Sequence, residues 1–308
     1  MIIRSTLELI GGTPLLKLDK IAESPFNIYA KQEYIQPGGS IKDRAALQII
    51  KDAYRSGKLV KGQPVVEMTS GNMGAGLAVV CRQWGNTFTA VMSSGNSPER
   101  AKILKALGAG VILAGQIDGT KGMVTGRDIE HASFIAKKLA GEKDGFYVDQ
   151  FNNVSGIKAH FENTGPEIWE DMPDIDAFIM SVGTGGTFTG ISRFLKTKSR
   201  EIRCVAVEPE KAAILKKGYV ENPKHIIQGT GYGLIPPQWE KDLPDFIITV
   251  SDEEVREMTR RLSVEQGIFV GYSSGANVAA SYKYAIENPD VKNIVTILCD
   301  TGYKYSDL

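Results

Sequence analysis

Pro64-Val65-Val66-Glu67-Met68 is a short β-rich run, and Thr69-Ser70-Gly71-Asn72-Met73-Gly74 carries it into a helical segment that reaches Trp84. The same step recurs on either side: Asn27 to Lys31 precedes a helix opening at Ser40, and Thr87 to Met92 precedes Pro98 to Leu107. Later, Ala177 to Ser181, Arg203 to Val207, Phe246 to Val250 and Asn293 to Leu298 continue it, with helices starting near Thr187, Asp252 and Ser274. Parallel strands need long crossovers, and helices on both faces turn each strand into a nearly continuous apolar run. The fold class is therefore α/β with parallel sheets covered on both sides. The rhythm breaks at Gln150-Phe151-Asn152-Asn153, which places a boundary between two sheets near Asp149 to Ser155. The segment from Glu210 to Pro237, thick with Pro, Lys and Gly, is too long for a simple connection and reads as a functional loop.

The chain has 308 residues, enough for two compact domains, and its 36 basic and 36 acidic side chains cancel without a block of like charge. No electrostatic footprint for nucleic acid or an anionic membrane results, and the expected partners are small molecules or protein. Cys81, Cys204 and Cys299 lack CxxC spacing and sit in or beside apolar runs, as buried free thiols do. His131, His160 and His225 are scattered, so no metal site is expected. Without an apolar run of signal-peptide or membrane-span length, the expected location is a reducing cytoplasm.

Lys42 lies in Gln36-Pro37-Gly38-Gly39-Ser40-Ile41-Lys42-Asp43-Arg44, a glycine turn entering an amphipathic helix. Ile41, Ala45, Ile49 and Ala53 form its buried stripe, and Ser40 with Asp43 three residues on reads as a cap. In the first turn, unpaired N–H groups and the positive end of the helix dipole oppose an ammonium, and burial favours the neutral amine further. A neutral lysine amine forms Schiff bases. A solvated lysine beside Asp43 and Arg44 explains the same residues.

Gly183-Thr184-Gly185-Gly186-Thr187 follows the strand ending at Ser181 and opens a helix, so its N–H groups form an anion nest. A dinucleotide fingerprint would need glycine where Phe188 stands, and no GxxxxGK[ST] occurs, which points to a terminal monophosphate. A glycine-rich turn that binds nothing is the competing explanation. Thr69 to Gly74 offers hydroxyls, an amide and N–H groups to a carboxylate, although ordinary capping by Ser70 or Asn72 accounts for it equally. Gly271-Tyr272-Ser273-Ser274-Gly275-Ala276-Asn277 repeats the pattern. Three such polar turns predict one crevice at the strand carboxyl ends.

An imine-forming lysine, a monophosphate nest and a hydroxyl for a ring nitrogen together describe pyridoxal 5′-phosphate. PGGSIKDR, TSGNMG, GTGGTFTG and GYSSGAN, in this order, resemble the cysteine synthase (O-acetylserine sulfhydrylase) and cystathionine β-synthase family of fold type II pyridoxal-phosphate enzymes. The opening Ile10-Gly11-Gly12-Thr13-Pro14-Leu15 and closing Cys299-Asp300-Thr301-Gly302 resemble that family's ends, so nearly the whole chain is covered. The resemblance implies two mainly parallel three-layer αβα domains of the tryptophan synthase β type with the cofactor in the cleft between them. Residues 1–35 with 151–308 would form the larger domain, and 36–150 a smaller, mobile one carrying the carboxylate loop.

By that resemblance, Lys42 matches the Schiff-base lysine and Asn72 the partner of the cofactor's phenolic oxygen. Gly183, Thr184, Gly185, Gly186 and Thr187 match the phosphate loop, and Ser273, with Ser274 adjacent, the hydroxyl facing the pyridine nitrogen. Asp300 is expected at the cofactor's far edge. Thr69, Ser70 and Gln150 match positions that hold the amino-acid carboxylate, with Met73 and Gly231 beside the substrate. Lys42, once displaced, would take the α-proton, and a hydroxyl at the ring nitrogen favours prompt loss of a β-leaving group. The implied reaction is β-replacement on a serine-type amino acid, first of all O-acetyl-L-serine plus sulfide giving L-cysteine and acetate.

Three departures qualify the second substrate. Met73 stands where TSGNTG has threonine, Ser93-Ser94-Gly95-Asn96-Ser97-Pro98 differs from the methionine-containing loop of cysteine synthases, and Tyr232 in Gln228-Gly229-Thr230-Gly231-Tyr232-Gly233 is similar to cystathionine β-synthase. Tyr232 would gate water, donate a proton to a hydroxide leaving group or select a thiol, unless it only packs. The alternative activity therefore uses serine or cysteine as donor, giving cystathionine, lanthionine or serine with release of hydrogen sulfide. A non-catalytic alternative is a regulatory partner of serine acetyltransferase. The family resemblance also implies a homodimer.

Overall fold

The computed structural model describes residues 2–22, 25–305 and 308. In chain order its elements are β1 (Leu15–Lys17), β2 (Asn27–Gln32), α1 (Lys42–Arg55), β3 (Val65–Met68), α2 (Asn72–Trp84), β4 (Phe88–Ser93), α3 (Pro98–Ala106), β5 (Gly110–Ala114), α4 (Gly126–Glu142) and β6 (Phe146–Tyr147). There follow α5 (Ser155–Ala159), α6 (Gly165–Asp171), β7 (Ala177–Ser181), α7 (Gly186–Lys198), β8 (Arg203–Pro209), α8 (Ile214–Lys217), β9 (Phe246–Val250), α9 (Asp252–Val264), α10 (Tyr272–Glu287) and β10 (Asn293–Leu298).

Two compact units result, one of Met1–Gly11 and Gln36–Gly156, the other of Gly12–Ile35 and Ile157–Leu308. In the first, a parallel sheet runs β5-β4-β3-β6. Side chains alternate across it: Val65 packs with Ala45, Ala46 and Ile49 of α1 and Leu77 of α2, while Val66 packs with Ala132, Ala136 and Ala140 of α4. Three alanines at spacing four give α4 a flat stripe that lies close on the sheet. Gly85, in the left-handed region at φ +79°, ends α2. The stripe expected on α1 is buried throughout, from Ile41 to Ala53.

The second unit holds a sheet of order β1-β2-β10-β7-β8-β9, parallel except for the antiparallel β1. One face packs on α9 and α10 through Val255, Leu262, Ala276 and Ala280; on the other, Phe178 of β7 stacks on Phe188 of α7. Asn277 of α10 ties helix to sheet, its Nδ2 donating to the Ile297 carbonyl (2.8 Å) and its Oδ1 accepting from the Ser181 amide (2.7 Å). The expectation that all of residues 1–35 belong with the larger unit is corrected. Leu7 and Ile10 pack on the core built by α1 and α2, which draws Met1–Gly11 into the smaller unit. The first unit also extends past residue 150, through Gly156.

Candidate active site

On the smaller unit, Lys42 is the first residue of α1 and is half-buried. The expected Ser40 and Asp43 capping pair forms differently. Ser40 Oγ accepts from the Lys42 amide (3.3 Å), and the fully buried Asp43 carboxylate turns back to accept from the Gly38 amide. A Cβ at Gly38 would overlap that carboxylate, so glycine is required there. The turn is thus locked from inside the helix, which fixes the backbone that carries Lys42.

The turn from β3 to α2 is satisfied by its own side chains. Thr69 Oγ1 accepts from the amides of Gly74 (3.2 Å) and Gly71 (3.4 Å), and Ser70 Oγ accepts from Arg100 Nη1 of α3 (3.0 Å). Because Ser70 accepts from a cation, its own O–H is left to donate to an acceptor outside that pair. Asn72 opens α2 and is half-buried. Met73, expected beside the substrate, is 5% exposed and packs in the apolar core, where a thioether fills space. Gln150 Nε2 donates inward, to Glu67 Oε1 (3.2 Å) and to the Met68 carbonyl (3.0 Å). Glu67 is 1% exposed, and burial, opposed by the Gln150 hydrogen bonds, pushes its carboxyl up to about 8.

On the larger unit, Gly185 precedes α7 at φ +91°, and no side chain caps the helix. The first internal bond of that helix runs from the Thr189 amide to the Gly185 carbonyl, so the preceding N–H groups are donors for an outside anion. A Cβ at Gly183 would run into the Gly229 carbonyl, and one at Gly185 would come within 2.8 Å of the Gln238 backbone. The glycines therefore let the long segment after β8 pack directly on this turn, with Thr189 Oγ1 donating to the Gln238 carbonyl (2.8 Å). Thr187 Oγ1 meets His160 Nε2 (3.1 Å), and His160 Nδ1 meets Thr164 Oγ1 (2.9 Å), within a π-helical turn at His160–Thr164. Thr184 and Thr187 are buried beside the uncapped amides, so the donor set suits a phosphate.

Ser274 Oγ is engaged by the Cys299 amide (2.8 Å) and is fully buried, whereas the neighbouring Ser273 is 7% exposed. Asp300 Oδ2 accepts from the Tyr305 hydroxyl (2.6 Å), and its main-chain carbonyl accepts from the Gly271 amide (3.1 Å). Asp300 thus braces the turn that starts α10. Tyr232 is half-buried between glycines at positive φ, Gly231 (+57°) and Gly233 (+74°), and His225 Nε2 lies 3.1 Å from the Gly231 carbonyl. Two residues escaped the sequence reading. Glu67 is the lone acid of an apolar strand, a signal that was visible; Arg100 lies 30 positions from Ser70 and gave none.

A lysine at a helix start and an uncapped turn whose donors suit a phosphate, each set on a parallel α/β sheet, fit an enzyme that carries a phosphorylated aldehyde cofactor. Residues 6–300 match the family described as pyridoxal-phosphate dependent enzyme, and the chain belongs to it. Its cofactor is pyridoxal phosphate. Cysteine synthase B of Campylobacter jejuni is 41% identical over 299 residues, covering 97% of this chain and 95% of that one. The crystal structure of an O-acetylserine dependent cystathionine β-synthase from Helicobacter pylori superposes with a TM-score of 0.90 at 35% identity, covering 100% of this chain and 98% of that one. A hydrogen sulfide-producing enzyme from Fusobacterium nucleatum gives 0.91 at 36% identity, covering 99% and 98%. Among the described residues, no cluster of metal-ligating side chains and no helix long and apolar enough to cross a membrane occurs. Cys81, Cys204 and Cys299 are buried thiols outside any disulfide, and burial pushes the Cys81 thiol up to about 12 and that of Cys204 to about 11.

Proposed function

We propose that this chain catalyses β-replacement on O-acetyl-L-serine with sulfide, giving L-cysteine and acetate. The observation that carries the reading is the pairing of two features in one chain of this family: Lys42 at the first position of α1 and the uncapped turn before α7. Pyridoxal phosphate, when bound, supplies an electron sink for negative charge at the amino acid's α-carbon. The amides of Gly186 and Thr187, with the Thr184 and Thr187 hydroxyls, hold its phosphate. Ser273 offers its hydroxyl to the ring nitrogen, since it is 7% exposed while Ser274 is fully buried. Asn72 serves the phenolic oxygen, and Asp300 acts on the ring's edge through the Gly271 turn that it braces.

Lys42 Nζ is the covalent anchor and, once released, removes the α-proton as general base. Thr69 and Ser70 receive the substrate carboxylate. Thr69 accepts two main-chain amides and Ser70 accepts Arg100, so both hydroxyl protons are available to the carboxylate oxygens. Gln150 joins them by turning its amide outward, and Gly231 with Tyr232 lines the substrate's approach.

A second reading, with cysteine or serine as donor, is favoured by Tyr232, whose phenol can protonate a poor leaving group. A homodimer, a cytoplasmic location and binding to serine acetyltransferase belong to the same proposal. Product analysis decides between donors. The holoenzyme should form cysteine from O-acetylserine and sulfide; rapid sulfide release from cysteine alone, with negligible cysteine formation, would replace the first reading by the second.

A further inference from the structure

Glu67 lies on β3, two residues before Thr69, with one carboxyl oxygen at the Gln150 amide and the other, Oε2, buried without a hydrogen-bond partner among the described residues. The amide's orientation is set by its second contact. The Met68 carbonyl can only accept, so the group 3.0 Å from it is the NH2 of Gln150. Both side-chain N–H groups of Gln150 therefore point into the unit. The preceding residue, Asp149, holds φ +53°, a left-handed conformation seldom taken by a residue with a side chain, so this turn is constrained where Gln150 departs from it.

We propose that Glu67 is a positioning residue for the amino-acid substrate: through its proton it sets how tightly the Gln150 amide is held inward and how readily that amide turns to a substrate carboxylate. The inference rests on the reading of Thr69, Ser70 and Gln150 as the carboxylate site. As a neutral acid Glu67 accepts an ordinary hydrogen bond, which Gln150 gives up at small cost. As a carboxylate it accepts a charge-assisted bond about twice as strong, and it also places a negative charge beside an incoming anion. Both effects weaken substrate binding as Glu67 ionises.

Its surroundings keep that ionisation near neutrality rather than deep in acid. Burial raises it to about 8, and the charge of Asp149 acts in the same direction. Tyr147 of β6, on the opposite face of the sheet with Val66, feels its charge, its own phenol pushed up by burial and then by Glu67. On β4 its partner is Ala90. Of the covering helices, α1 buries Asp43 and Arg44, α4 buries Asp128 and α2 buries no charged side chain. Arg100 of α3 is turned to Ser70.

The test uses holoenzyme and L-alanine, an amino acid with no β-leaving group. Calorimetric Kd values are measured from about pH 6.5 to about pH 9.5 for wild type and Glu67→Gln, and the ratio of the two is read, which cancels the titration of alanine itself. In parallel, the infrared C=O band of a protonated carboxyl is followed in wild-type protein, a readout that needs no variant and no turnover. The expected result is a ratio that rises about five- to tenfold across that range, with an acid band that fades over the same interval and is missing in Glu67→Gln. A flat ratio, or a carboxylate already ionised at the acid end, overturns the inference while leaving the carboxylate site standing. If neither protein binds alanine at any pH, the carboxylate-site reading falls together with the inference.

Discussion

The two strand-to-helix turns, β3 to α2 and β7 to α7, begin from the same topology and solve their hydrogen bonding in opposite ways. At the first, Thr69 takes up the amides of Gly71 and Gly74, and Arg100 reaches Ser70, so side chains close the turn and each hydroxyl keeps a proton to donate. At the second, glycines stand where capping side chains would be, and the amides opening α7 remain as donors. A turn satisfied by its own side chains can grade its grip on an exchanging carboxylate. A bare turn suits a phosphate that stays, because its donors are main-chain groups held by the fold.

Gly185→Ala breaks the second turn and has the largest expected effect. The φ of +91° and the approach to the Gln238 backbone make a methyl group costly there, by about 3 kcal/mol. Denaturant unfolding should show that loss, with pyridoxal phosphate retained at least about tenfold less tightly in dialysis.

Next is Glu67, at the strand that feeds the first turn. Its folded-state carboxyl titrates at about 8 against an ordinary 4.5, so its contribution is fully present below the unfolded value and is lost as pH rises to about 8. Glu67→Gln should therefore be more stable than wild type near pH 8.5 by about 2 kcal/mol or more, with no such advantage near pH 5. Thermal melts at both pH values check the sign.

Thr69→Ala removes the acceptor for two amides at the first turn and should cost about 1 kcal/mol, read from the urea midpoint. The smallest effect sharpens the comparison most. Arg100→Gln should raise KM for the amino-acid donor about threefold and leave kcat nearly unchanged, because it acts on the carboxylate through Ser70.

Much of this was legible in the chain. The runs Val65 to Met68 and Ala177 to Ser181, each followed by polar turn and helix, were visible because strand burial and helical spacing are local signals. The helix start at Lys42 was legible for the same reason: a glycine turn and the helix it enters are neighbours in sequence. The failures are all tertiary. Asp43 answers the Gly38 amide rather than forming a capping box with Ser40, Met73 is drawn into the core, and Met1–Gly11 follows its apolar contacts with α1 and α2. Arg100 could be matched to Ser70 only once α3 was placed beside the turn, and Gln150 to Glu67 only once β6 had paired with β3.

The central claim is that Lys42 carries the cofactor. Borohydride reduction of the purified holoenzyme, followed by peptide mapping, should find one pyridoxyl group, on the Nζ of Lys42. A tag on another lysine, or none, would contradict it.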